Sequence, residues 1–258
     1  MSAERFAGRT VLVTGGSGGI GAEICRRFAA ESARVWIHYG AGRDAAEALR
    51  AELEASRARD PRVVGADLRD PEAVAAMVGR VVDESGRLDI LVNNAGIFER
   101  HPLAETSFDA WREAWDRTLG INLLGPAHAC WHAARHMIDA GGGRIVNISS
   151  RGAFRGEPDC PAYGASKAGV NALTQSLAAA LAPHRIFVYA VAPGFVETAM
   201  ARPYLTGAMA EAVKSQSPLG RVATVGDVAY WVLAMAADGA EFATGAIVDV
   251  NGASYLRT

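Results

Sequence analysis

The sequence predicts an α/β fold in which one doubly wound, seven-stranded parallel sheet carries helices on both faces. Short runs rich in β-branched residues alternate with longer helical patterns from end to end, and most of those runs are apolar throughout. No linker, repeat or low-complexity stretch interrupts the rhythm. Unbroken apolar strands are what a parallel sheet needs when both of its faces are covered. A chain of 258 residues, half of them hydrophobic, suits one domain over 1–258 and is not a disordered chain.

In chain order the expected strands are 10–14, 34–39, 62–66, 89–93, 144–148, 186–191 and 246–250, each holding Val or Ile. The expected helices are 20–31, 43–57, 71–84, 108–138, 162–182 and 225–237. Pro126 lies inside the fourth of these, where a missing amide hydrogen predicts a kink. In such a sheet, ligands bind beyond the carboxyl ends of the strands.

Charge and hydropathy exclude several classes of partner. Lys and Arg number 26 against 28 Asp and Glu, a net charge of −2, so no basic excess exists to neutralise nucleic-acid phosphates. The longest apolar run, 228–237, falls well short of the roughly 20 residues that span a bilayer. Glu4, Arg5 and Arg9 stand where a signal peptide would be apolar, so a cytoplasmic protein is expected. Cys25, Cys130 and Cys160 are odd in number and far apart, which fits small buried hydrophobes better than a disulfide framework.

Gly15-Gly16-Ser17-Gly18-Gly19-Ile20-Gly21 follows the first strand and opens a helix, so backbone amides and the helix dipole can face a pyrophosphate. Two registers fit. Gly16, Gly18 and Gly21 spell G-x-G-x-x-G, and Gly15, Gly19 and Gly21 spell G-x-x-x-G-x-G. Strand, loop and helix together point to a dinucleotide. A binder of NAD(H) places an acid near the end of the second strand, whereas this chain has Tyr39 there, followed by Gly40-Ala41-Gly42-Arg43. The Arg43 guanidinium suits a 2′-phosphate, so NADP(H) is favoured over NAD(H); the other reading of Arg43 is an exposed cation in a first helical turn.

Tyr163 and Lys167 are four apart in a helical segment and share one face. A phenol ordinarily ionises near a pKa of about 10, and a neighbouring ammonium favours the phenolate, pulling it toward the range where it exchanges protons. The same spacing also arises by chance on many helices, so the surrounding residues decide.

Those residues resemble the short-chain dehydrogenase/reductase family over essentially the whole chain. The resemblance rests on Thr14-Gly-x-x-x-Gly-Ile-Gly21, Asp67, Asn93-Asn94-Ala95-Gly96, Asn122, Ser149-Ser150, Tyr163-x-x-x-Lys167 and Pro193-Gly194 followed by Thr198. It implies a Rossmann fold with Tyr163 as proton donor or acceptor and Lys167 holding the nicotinamide ribose while lowering the tyrosine pKa. It implies Ser150, 13 residues before Tyr163, as donor to the substrate carbonyl, and Asn122 as support for a relay water. Implied cofactor contacts are Gly15, Ser17, Gly18, Gly19, Ile20 and Gly21 in the loop, with Tyr39 and Arg43 at the ribose. Asp67 and Leu68 are implied at the adenine, Asn93, Ala95 and Gly96 beside it, and Pro193, Gly194, Val196 and Thr198 at the nicotinamide. A substrate lid is expected over 195–218. Tyr189 departs from the family, which commonly has asparagine there.

The expected activity is NADP(H)-linked interconversion of a small or medium ketone or aldehyde and an alcohol. The nearest alternative is a 3-oxoacyl-acyl-carrier-protein reductase, with an acyl carrier protein as partner. An acidic carrier needs a basic docking patch, yet Asp139-Ala140-Gly141-Gly142-Gly143 precedes Arg144 where the resemblance places one, and only His184 and Arg185 occupy the second place. A non-catalytic nucleotide sensor is disfavoured by the intact Ser150, Tyr163 and Lys167. Arg100, Arg151, Arg155 and Glu157 are pocket candidates or solvated loop charges. A homotetramer is expected by resemblance, with Trp111, Trp115 and Trp131 as interface or core residues. His128, His132 and His136 form a stripe whose outer members are about 12 Å apart along a helix, too far for one zinc ion.

Overall fold

Runs of apolar residues that alternate faces become seven parallel strands in the computed structural model, which describes residues 4–56, 58–207 and 209–257. They are β1 (Thr10–Val13), β2 (Arg34–Tyr39), β3 (Arg62–Gly65), β4 (Ile90–Asn93), β5 (Gly143–Ile148), β6 (Ile186–Pro193) and β7 (Ile247–Val250). The sheet order is β3-β2-β1-β4-β5-β6-β7, and every neighbouring pair is parallel. The connecting helices are α1 (Gly19–Ala30), α2 (Arg43–Ala55), α3 (Pro71–Ser85), α4 (Phe108–Leu119), α5 (Gly125–Asp139), α6 (Gly152–Arg155), α7 (Pro161–Leu181), α8 (Met209–Lys214) and α9 (Val225–Ala236). Strand order reverses between β1 and β4, which opens a crevice at their carboxyl ends.

Because successive strand residues face opposite ways, the sheet divides two cores. Val11, Val13, Val35 and Ile37 pack with Ile24 and Phe28 of α1, Leu49 of α2 and Val232 of α9. Leu12, Trp36 and Leu91 pack on the other side with Val78 of α3, Ala133 and Met137 of α5 and Ala178 of α7. Tyr189, the departure noted in β6, is fully buried, and its hydroxyl donates to the Ala240 carbonyl at 2.9 Å. All three cysteines are free and buried.

The helix expected over 108–138 is broken. A π-helical turn, Gly120–Leu124, separates α4 from α5, and Gly125 donates its amide to the Gly120 carbonyl five residues back. Pro126 has no amide hydrogen for the Asn122 carbonyl four residues back, and in the first turn of α5 that loss is tolerated. The expected lid, 195–218, holds a 3₁₀ turn, Arg202–Tyr204, and α8, and a single bridge from Val196 to Ala223 ties its base. Among the described residues no helix is long and apolar enough to cross a membrane. Nor do three or more His, Cys, Asp or Glu side chains there converge on a metal position.

Candidate active site

The crevice widens into a cleft of about 910 Å³ whose walls come from the glycine loop, the ends of β3 to β6, α7 and the lid. At one end the wall is backbone. Positive φ falls at Gly15 (+61°) and Gly19 (+52°), so the loop uses the G-x-x-x-G-x-G register. A Cβ on Gly21 would stand 2.2 Å from the Gly15 carbonyl oxygen, so only glycine lets α1 pack this close to the loop. Gly18 caps α1 without a side-chain hydrogen bond, leaving its first-turn amides to the cleft.

Two side chains fasten this loop. Asn94 Nδ2 donates to the carbonyls of Thr14 and Gly15, both at 3.0 Å, and Thr14 Oγ1 accepts from the Asn94 and Ala95 amides. His38 Nδ1 accepts the Gly15 amide at 3.0 Å, which leaves Nε2 to donate to the Ala66 carbonyl at 3.1 Å. Burial lowers the His38 pKa, in keeping with a neutral ring.

Gly15, Gly18, Gly19, Ile20, Asp67, Leu68, Ala95 and Gly96 line the cleft. Of the other residues the sequence singles out, Ser17, Gly21, Tyr39, Arg43, Asn93 and Asn122 stand outside the cleft's lining. Gly21 supports the loop from behind, and Ser17 Oγ faces Gly42, 3.5 Å from where a Cβ there would lie. Strand alternation turns Tyr39, its ring over Gly65, to the face that packs on α1 and α2, and gives the cleft position to His38. Arg43 is exposed at the start of α2, while Gly40 and Ala41 reach the cleft. Asn93 points into the core and donates to Asn147 Oδ1 at 2.8 Å. Asp67 is held by Arg69 through its guanidinium and its amide, and the arginine's hydrogen bonds lower the carboxyl's pKa.

At the other end the wall is side chains. Ser150, Tyr163 and Lys167 converge there. Lys167 is 4% exposed; its Nζ donates to the Ile148 carbonyl at 2.8 Å, and burial lowers its pKa to about 8. Tyr163 keeps one edge open to the cleft, yet burial of its phenol pushes the pKa up to about 12; a hydrogen bond with Ser150 opposes that rise and the Glu157 charge adds to it. The structure differs here from the expectation that the lysine draws the phenol toward neutrality. Lys167 Nζ lies 5.8 Å from the Tyr163 ring centroid and points at a carbonyl, so burial dominates.

Asn122 acts behind this wall. Its Oδ1 accepts the Ile97 amide at 2.8 Å, and its Nδ2 donates to the Ile97 carbonyl at 3.0 Å and to Ser166 Oγ at 3.2 Å. Ser166 in turn donates to the Tyr163 carbonyl at 2.7 Å. Pro193, Gly194, Val196 and Thr198 line the lid side, and a Cβ on Gly19 would touch Thr198 Cγ2 at 3.4 Å.

Several lining residues escape sequence reasoning. The Phe98 ring meets Tyr163 edge-on at 4.7 Å, Tyr204 lies 5.9 Å from Phe98 and 5.8 Å from Phe195, and Met200 completes an apolar belt. These come from separate loops, and no spacing connects them. His38 and Asn94 did carry signals: a polar residue in an apolar strand, and the second asparagine of a noted motif.

The profile of the short chain dehydrogenases matches residues 9–208. The chain is 40% identical over 255 residues to cis-4-hydroxycyclohexanecarboxylate dehydrogenase of Sinomonas cyclohexanicum, covering 96% of this chain and 97% of the relative. It is 36% identical to the 3-oxoacyl-acyl-carrier-protein reductase of Staphylococcus aureus, covering 96% and 98% respectively. The crystal structure of a short chain dehydrogenase from Burkholderia cenocepacia in complex with NADP superposes with a TM-score of 0.88 at 38% identity, over 97% of this chain and 99% of that one.

Proposed function

The chain belongs to the short-chain dehydrogenase family, and on that premise we propose that this oxidoreductase interconverts a ketone or aldehyde and an alcohol with NADP(H). The observation that supports this most is the convergence of Tyr163, Ser150 and Lys167 on one end of a cleft whose other end is a glycine loop. The loop fits a dinucleotide. It offers the uncapped first turn of α1, and a Cβ on Gly18 would meet no atom within 4 Å, so space for phosphates lies over it. Gly15, Gly18, Gly19 and Ile20 would hold the phosphates, Asp67 and Leu68 the adenine, and Pro193, Gly194, Val196 and Thr198 the nicotinamide. When bound, the nicotinamide supplies or accepts the hydride.

The remaining chemistry belongs to the chain. Ser150 Oγ donates to the carbonyl oxygen as negative charge develops there. Tyr163, whose raised pKa keeps the phenol protonated at neutral pH, delivers the proton in reduction and takes it back in oxidation. Lys167 would hold a ribose hydroxyl of the bound nucleotide, and its ammonium keeps positive charge beside the phenol. Asn122, through Ser166 and Ile97, positions the tyrosine helix and the loop at residue 97.

NADP(H) is favoured because no carboxylate stands among His38, Gly40 and Ala41, where the cleft meets the end of β2. Gly42 leaves the first turn of α2, headed by Arg43, without a side-chain cap, which suits a 2′-phosphate. A free small substrate is favoured over a carrier-bound one. Arg144 is held by Glu241 at 2.6 Å and Asp238 at 3.3 Å and lies over the Phe187 ring, so it adds nothing to a carrier-docking patch. The Sinomonas relative is named for a free cyclic hydroxy acid, which supports the same choice. Exposed Leu124 and Trp131, on and beside α5, support assembly into a homotetramer.

A panel of ketones and aldehydes assayed with NADPH and NADH, following reduced-nicotinamide absorbance, tests the reading. Turnover with NADPH is expected. No turnover of any carbonyl with either nucleotide would overturn it. An acetoacetyl carrier favoured over its short thioester mimic, with an advantage that collapses as salt rises, would reverse the substrate choice.

A further inference from the structure

Two cationic side chains are buried among the described residues, Lys167 and Arg151, each 4% exposed. Lys167 has its place in the reaction above. Arg151 immediately follows Ser150, and its amide donates to the Pro193 carbonyl at 2.8 Å, which fixes it at the substrate end of the cleft. Its guanidinium has five donor hydrogens, and the described residues satisfy it through one contact, Nη1 to Ser254 Oγ at 2.6 Å. It lies over the Phe195 ring, 5.4 Å from the centroid, and lines both the main cleft and an adjoining cavity of about 560 Å³ beneath the lid.

No carboxylate of the described residues forms an ion pair with Arg151. By contrast Asp89, a buried anion, is paired with both Arg87 and Arg9. The charged groups whose fields reach Arg151 are Arg155, which repels it, and Glu157. Glu157 acts on it only through its field and forms no ion pair with it. A buried guanidinium with free donors facing a cleft calls for an anion from outside. A chain of ring contacts, Phe195 to Tyr204 to Phe98, runs from it to Tyr163, and with Met200 these line the cleft with a wall that suits an alicyclic or aromatic body.

We infer that Arg151 is a specificity residue that binds a carboxylate on the substrate, so that the preferred substrates are ring-bearing hydroxy acids and their keto acids. This rests on the carbonyl-reducing function proposed above. The ring lies against the aromatic belt, the reacting carbon faces Tyr163 and Ser150, and the carboxylate at the far end takes a forked hydrogen bond from the guanidinium.

The test compares 4-oxocyclohexanecarboxylate with its uncharged methyl ester, using the full chain, NADPH and the variants Arg151→Met and Arg151→Lys. In the wild type kcat/KM should favour the acid by at least about tenfold, as a charge-assisted forked contact allows. Arg151→Met should erase that preference, chiefly through a higher KM for the acid, and Arg151→Lys should keep part of it. Taking the ratio within each protein cancels any loss of folded enzyme. An acid-to-ester ratio near one in the wild type, or unchanged in Arg151→Met, overturns the inference while the reductase reading stands. If no carbonyl turns over, that reading falls, and a second readout still decides the anion site. Cyclohexanecarboxylate should raise the melting temperature of the wild type but not of Arg151→Met; no shift in the wild type overturns the site.

Discussion

At the β1–α1 end of the cleft the wall is backbone, with each strut satisfied: Asn94 on two carbonyls, Thr14 on two amides, His38 between Gly15 and Ala66. At the Tyr163 end the wall is side chains, and the ionisable ones are displaced from their ordinary behaviour by burial: Lys167 down to about 8, Tyr163 up to about 12, Arg151 down and Glu157 up. The first end is finished by the fold and suits what all dinucleotides share. The second holds buried groups whose needs a reacting molecule can meet, which is where reaction and specificity are expected to reside.

If that division is right, damage at the second end should remove chemistry and spare nucleotide binding. Tyr163→Phe is the largest expected effect. Turnover should fall roughly 10²- to 10⁴-fold, the usual loss for one acid–base group, while NADPH affinity by fluorescence titration stays near that of the wild type. Near-normal turnover would remove Tyr163 from the reaction.

A charge placed at the first end should do the reverse. Ala41→Asp puts a carboxylate where the cleft meets the end of β2. Like-charge repulsion of several kcal/mol should lower the NADPH-to-NADH ratio of kcat/KM by roughly 10²-fold. Tyr39→Asp should change the ratio less, because the side chain at 39 turns toward Gly65. An effect at 39 as large as that at 41 would show that the Tyr39 position, too, meets the ribose end of the nucleotide.

The opposed faces of His38 and Tyr39 also mark what the sequence can disclose. The alternating runs and the glycine loop are legible because strand period, positive φ and helix start are local properties of adjacent residues. Tyr163 and Lys167 are legible because one helical turn aligns them. The end of β2 is less so, since one residue's step reverses the face; a polar His in an apolar strand marks position 38 but does not say that it, and not Tyr39, meets the cleft. Asn93 and Asn94 pose the same problem: the first bonds Asn147 in the core and the second fastens the loop. The meeting of Phe98, Phe195 and Tyr204 and the lack of a counter-ion for Arg151 among the described residues depend on loops remote in the chain, so no local pattern records them.

Gly21→Ala tests the finished end through stability. Its Cβ would press on the Gly15 carbonyl and on Asn94 Nδ2 at 2.5 Å, neither of which can yield without moving the loop. Overpacking of this kind costs about 1–3 kcal/mol, so the melting temperature should drop by several degrees in a calorimetric scan. NADPH affinity should fall with it. A melting temperature equal to the wild type's would mean that the loop tolerates the displacement and is softer than its hydrogen bonds imply.

The smallest effect concerns Glu157 and the proton. Below about pH 12 the Tyr163 phenol is mostly protonated in the nucleotide-free protein, so the acid needed for reduction is abundant, and the phenolate needed for oxidation falls tenfold with each unit below that value. The negative charge of Glu157 is one of the causes that hold the phenol up, after burial itself. Glu157→Gln removes that charge and should lower the phenol's pKa, which raises the phenolate fraction at any pH below it. In the alkaline range, where the Glu157 carboxyl is ionised in the wild type, kcat/KM for alcohol oxidation should rise about threefold, a fraction of one pKa unit. The whole alkaline limb should move to lower pH, measured as a pH–rate profile for the two proteins side by side. A limb that stays in place or moves to higher pH would show that Glu157 does not act on the phenol through its charge, and would leave burial and Ser150 as the groups that set it.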